Sequence, residues 1–163
     1  MRIPTLAIAA LLTLTLAACD GSSEPAGKNV VAPSDQPALP DQRVDNPFPT
    51  ATQVRLYIGD ASGQVREQAG RALSPAQRVA FENALYLTTP DEMAACFIPH
   101  HFFRYYDKAG KEVGEVAICF CCEGAEATGQ DNIKAGPGQV LTAHFDQLGK
   151  LVRALGVRTD VAC

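Results

Sequence analysis

The sequence lacks the short motifs that announce hydrolytic or nucleotide chemistry. It has no Gly-x-Ser-x-Gly elbow, no glycine-rich phosphate loop and no HExxH helix. Nucleophilic hydrolysis therefore has no support from motif. Positive charge is also scarce, with 14 Lys and Arg against 18 Asp and Glu and a net charge of −4. That balance argues against a nucleic-acid partner and against an electrostatic grip on anionic lipid. No internal repeat is present. The longest apolar run, Leu6 to Ala18, is interrupted by Thr13 and Thr15. It falls short of the ~20 residues that a membrane-spanning helix needs.

That run is informative for another reason. One cation, Arg2, precedes it and small residues end it, which is the layout of a cleavable export signal. Its last residues, Leu16-Ala17-Ala18-Cys19, resemble the lipobox of bacterial lipoproteins. The resemblance implies that residues 1–18 are removed and that the Cys19 thiol receives diacylglycerol, its new amino group then being acylated. Buried acyl chains at about 0.8 kcal/mol per CH2 would hold the chain on a bilayer without a spanning helix. It also implies a cell-envelope location facing the periplasm, and Asp20 resembles the enterobacterial signal for inner-membrane retention. The cut would leave 13 basic residues against 18 acidic ones, a net charge near −5.

Residues 20–50 hold six of the eleven prolines together with Ser, Gly, Asp and Gln, without apolar periodicity. The expectation for 19–50 is a lipidated, disordered tether, reaching at most ~90 Å if fully extended in polyproline form. Residues 51–163 suffice for one globular domain.

Four blocks organise that domain. Residues 53–59 alternate, with Val54, Leu56 and Ile58 on one face; Asp60 to Gly63 is a turn, and 64–68 returns as a strand. Ser74-Pro75-Ala76-Gln77 starts a helix, whose face joins Ala76, Ala80, Ala84 and Leu87 with Phe81 and Leu85 until Pro90 stops it. Residues 100–106 and 112–120 flank Asp107 to Gly110 as a hairpin. Phe145, Leu148, Val152 and Leu155 recur at helical spacing, and Gly156 ends the run. The order ββαββα predicts an α+β fold, a small antiparallel sheet built from two hairpins with two packed helices.

The segment 96–122 resembles a pattern of small exported bacterial proteins: Cys-Phe-x-Pro-x-His, a Tyr/Asp-rich hairpin, then Ile-Cys-Phe-x-Cys. Cys96, Pro99, His101, Cys119 and Cys121 carry the match, while His100, Cys122 and Cys163 depart from it. The resemblance constrains the fold and implies no activity.

Three readings compete for the cysteines. Cys119 and Cys122 form a Cys-x-x-Cys pair, but the motif ends a strand instead of opening a helix, so the dipole that would activate a redox thiol is missing. A metal site for zinc or copper would use Cys96, His101, Cys119 and Cys121. The third reading is a structural crosslink, favoured in an oxidising compartment. If Tyr106 opposes Lys111, the ladder places Cys96 opposite Cys121 with Cα atoms roughly 4.5–5.5 Å apart, within disulfide reach, whereas a one-residue slip or a break at Pro99 would make Cys119 or Cys122 the partner. The closed loop would stabilise the domain by roughly 3 kcal/mol. Cys122 and Cys163 form the expected second bridge, leaving Cys119 as the odd thiol. In that register His100 faces Ala117 and His101 faces Val116, away from the cysteines, and His144 is a surface residue.

The acids Asp107, Glu112, Glu115 and Glu123 read as turn and solvent-face charges. The expectation is a lipid-anchored, non-catalytic binding or structural module without a cofactor beyond the lipid. The competing expectation is a periplasmic metal-binding or thiol-redox protein. The residues name no protein or small-molecule partner.

Overall fold

The computed structural model describes residues 41–65, 69–91, 97–129 and 132–161. Within them the chain forms β1 (Gln42–Arg43), β2 (Gln53–Ile58), β3 (Arg71–Ala72), α1 (Pro75–Asn83), β4 (Leu85–Thr88) and β5 (His101–Tyr106). Then follow β6 (Glu112–Cys119), β7 (Gly124–Gly129), β8 (Val140–Ala143) and α2 (Phe145–Ala154). The class is α+β, as expected, but the expected order ββαββα and single sheet are not what forms. Two antiparallel sheets appear among the described residues, one ordered β3-β2-β5-β6-β7 and the other β1-β4-β8.

The larger sheet shows how period-two sequence becomes a core. In β2, Val54 and Leu56 point inward and are buried, while Arg55 and Tyr57 take the other face. In β5 and β6 the inward positions are Phe103, Tyr105, Val116 and Ile118, all fully buried. The turn after β2 is held by Asp60, whose carboxylate accepts from the backbone N–H of Ser62 and Gln64. Val65 makes only an isolated bridge with Gly59, and the rest of the expected return strand, 66–68, lies outside the described residues. The strand that does pair with β2 is β3, with Arg55 opposite Ala72.

Helix α1 begins as its sequence dictates. Ser74 accepts from the Gln77 backbone N–H and the Gln77 side chain accepts from the Ser74 backbone N–H, a reciprocal capping box with Pro75 in the first turn. Its buried face differs from the expected one. Ala76 and Ala80 are exposed, and Phe81 is the anchor, stacked on Phe103 with ring centroids 3.7 Å apart. The helix also stops at Asn83. Leu85-Tyr86-Leu87-Thr88 alternates buried and half-buried and takes a strand, because β1 pairs along one side of it and β8 along the other. Two flanking ladders outweigh the helical spacing of Leu85 and Leu87.

Helix α2 matches its expected stripe, with Leu148 and Val152 fully buried and Phe145 and Leu155 packed against the core. Gly156, at φ +71, closes it; its N–H donates to the Arg153 carbonyl and that of Val157 to the Val152 carbonyl.

The globular unit begins before residue 51. Val44 and Phe48 are core residues, and the Phe48 ring lies 4.2 Å from that of Tyr105. Gly114 makes this possible, since a methyl group there would overlap the Phe48 ring. Residues 41–50 are therefore domain and not tether.

The central hairpin carries a register correction. Tyr106 faces Glu112, not Lys111, and between Tyr106 and Tyr105 the pairing shifts again, so that Tyr105 faces Gly114. Val113 is the extra residue of this β-bulge. His101 accordingly faces Ile118 and Phe102 faces Ala117, two positions from the expected register.

Candidate functional site

The cysteines lie on the hairpin that joins β6 to β7. Cys119 ends β6 opposite Gly124, and Phe120 to Glu123 form the turn. Glu123 takes a left-handed conformation, φ 48. Cys119 is a buried free thiol, 3% exposed. Cys121 is exposed and disulfide-bonded. Cys122 is half-buried and faces a cleft beside the turn. Cys19, Cys96 and Cys163 lie outside the described residues, and so do the lipidation site and the Cys96 half of the first expected bridge; the expected Cys122–Cys163 bridge does not form, because Cys122 is in no disulfide. The register that placed Cys96 opposite Cys121 is itself displaced by the bulge.

The alternative metal set is not assembled among the described residues. His101 faces the core opposite Ile118, and the next position along β6 points Cys119 to the other face of the sheet. No group of three or more metal-ligating side chains occurs among the described residues. His101 has a structural setting instead. It is 1% exposed, its Nε2–H donates to the Arg158 carbonyl at 2.6 Å, and its ring meets Phe120 edge-on. Burial holds its pKa below the ordinary imidazole value, partly opposed by the Arg158 hydrogen bond. Its Nδ1 is buried without a partner. The neighbouring His100 donates from Nδ1 to the Asp60 carbonyl at 2.8 Å. His144 is exposed, as expected, and sits at the N-cap position of α2 without a side-chain capping bond, its ring stacked on Tyr86.

The aromatic residues of β5 divide by face. Tyr105 is fully buried and its phenol is pushed well above the ordinary value by burial. Tyr106 lies on the opposite face, 2.9 Å from the Tyr57 hydroxyl, its pKa also raised first by burial. Arg104 pairs with Glu115 at 2.7 Å and covers the Tyr57 ring. The carboxylate of Glu115 is thus bound to a structural partner.

The cleft beside the cysteine turn has a volume of about 570 Å³. β7 and β8, the terminal strands of their sheets, lie side by side without sharing a ladder, and the cleft follows this seam. Ala125 and Ala127 of β7, Val140 and Leu141 of β8, and Leu87 of β4 supply apolar wall. Phe97, Ile133 and Pro90 extend it, and Cys122, Glu123 and Glu126 bring the polar atoms with Thr88 and Thr142. No imidazole, guanidinium or ammonium lines it among the described residues. The arrangement suits binding: an apolar concavity of ordinary ligand size with few polar groups.

Sequence reasoning missed this site. Gly124-Ala125-Glu126-Ala127-Thr128 does alternate apolar with polar, which is the signal that could have found β7, but small residues make the pattern faint. No family model, curated protein or solved structure matches this chain.

Proposed function

We propose that this chain is a lipid-anchored bacterial cell-envelope protein whose domain is a non-catalytic binding module. The cleft between β7 and β8 is its ligand seat and is the observation that carries the reading. Its volume of about 570 Å³ lies inside the ~300–1,000 Å³ typical of small-molecule sites, and its wall is mainly aliphatic. The anchor rests on Leu16-Ala17-Ala18-Cys19, and the inner-membrane side on Asp20. The proline-rich residues between Cys19 and Asp41 link the two.

Cys96 is the proposed partner of Cys121. The support is now proximity, not ladder register: Phe97, next in sequence to Cys96, packs over Gly124 at the foot of the cysteine turn. Such a crosslink would brace one wall of the cleft without taking part in chemistry.

Mass spectrometry of the chain taken from envelope membranes under non-reducing conditions tests both parts. The expected N-terminal peptide starts at Cys19 and carries diacylglycerol, and a crosslinked peptide joins Cys96 to Cys121. An unmodified mature N-terminus removes the anchor, and a free Cys96 thiol removes the crosslink.

A further inference from the structure

The cleft combines an apolar wall with charge of one sign. Its aliphatic floor is built from Ala125, Ala127, Leu87 and Leu141, and among the described residues its only charged wall residues are Glu123 and Glu126, both exposed at the rim. Lys134, between the wall residues Ile133 and Ala135, is exposed and does not line the cleft. An anionic head group at the mouth would meet two carboxylates with no cation on the wall to answer it. A cationic head group would meet complementary charge while its tail stayed on the aliphatic floor.

The floor also discriminates by shape. Phe97 is the one aromatic ring on the described wall, so a planar ligand finds no pair of faces to stack between. Instead, Ala125 and Ala127 project short side chains from successive inward positions of one strand, leaving a trough that runs along the seam. A flexible alkyl chain fills such a trough by dispersion and burial, at roughly 0.8 kcal/mol per CH2 removed from water. We propose that the seat takes a cationic amphiphile, a linear alkyl chain ending in an amine or quaternary ammonium group. This rests on the reading of the cleft as a ligand seat and adds the chemical class.

The test uses the full lipid-anchored chain in membranes of a zwitterionic lipid. Three photoreactive dodecyl probes differ only in their head groups, trimethylammonium, hydroxyl or carboxylate, and labelled peptides are mapped by mass spectrometry. Labelling of 124–127 and 140–142 by the ammonium probe should be displaced by unreactive dodecyltrimethylammonium. It should exceed labelling by the carboxylate probe about tenfold or more at low salt, because two carboxylates at the mouth attract one head group and repel the other. The preference should shrink in about 0.5 M salt and vanish in the double variant Glu123→Gln, Glu126→Gln. Ala127→Phe should abolish displaceable labelling by every probe. Equal labelling by all three head groups would overturn the cationic class while leaving the seat. Absence of displaceable labelling with any probe would overturn the seat itself.

Discussion

Two neighbouring parts of the larger sheet are built on the same ladder and filled in opposite ways. At β5 and β6 the inward positions are Phe103, Tyr105, Val116 and Ile118, and no solvent reaches any of them. One strand further, β7 offers Ala125 and Ala127 to the same side, and both stay half-buried. The backbone does not open between them, since Val116 still pairs with Ala127 and Ile118 with Ala125. The cleft is therefore made by withheld side-chain volume and not by a broken sheet. Stability resides at the ring-filled part, where Phe48 and Phe81 close over Tyr105 and Phe103. The proposed ligand seat lies where that filling stops.

The largest effect should come from breaking the filled part. Phe48→Ala removes a fully buried ring from between Tyr105 and Gly114, and should cost about 3–5 kcal/mol in urea unfolding. A domain of this size has about 5–15 kcal/mol in total. A loss below about 1 kcal/mol would mean that residues 41–50 are not part of the core.

A smaller effect separates the two parts by pH. His101 is held neutral by burial, so its folded-state pKa lies below the unfolded value near 6.5. Its contribution is fully present above pH ~6.5 and is lost as pH falls toward the lowered folded value, because the unfolded chain takes up the proton first. Thermal unfolding should show stability declining over that window. His101→Gln, which keeps an amide N–H for the Arg158 carbonyl, should flatten the decline; an unchanged slope would assign it to other groups.

The smallest effect is expected in the cleft. Ala127→Val adds volume where space exists, and should change stability by less than about 1 kcal/mol in the same urea measurement. A loss comparable with that of Phe48→Ala would show that β7 is packed as tightly as β6, and the contrast would disappear.

What could be read from the chain divides along the same line. The capping box at Ser74, the Asp107 to Gly110 turn, the alternation of β2 and the stripe of α2 were legible because each is a local signal. Leu85 to Thr88 was read as helix because Leu85 and Leu87 fit a helical face, and only two remote ladders decide for a strand. β7 was invisible because Gly, Ala and Thr carry little hydrophobic contrast. The bulge at Val113 moved every pairing beyond it, and with them the geometric case for Cys96 opposite Cys121. A cleft defined by missing volume leaves no motif at all.

The seating of Phe48 on Gly114 also sets an order of events during synthesis. The Val44 N–H donates to the Leu85 carbonyl, and the Pro47 carbonyl accepts from the Asn132 N–H. These partners of the lead-in are thus translated long after it. At ~5–20 residues per second, Phe48 waits roughly ten seconds before Gly114 and Asn132 exist to hold it. Such long-range closure is slow, because loop entropy is lost before the contacts reward it. Until the second half of the domain is made, the lead-in is an uncommitted aromatic segment. The finished fold is latched by the part of it that was made first.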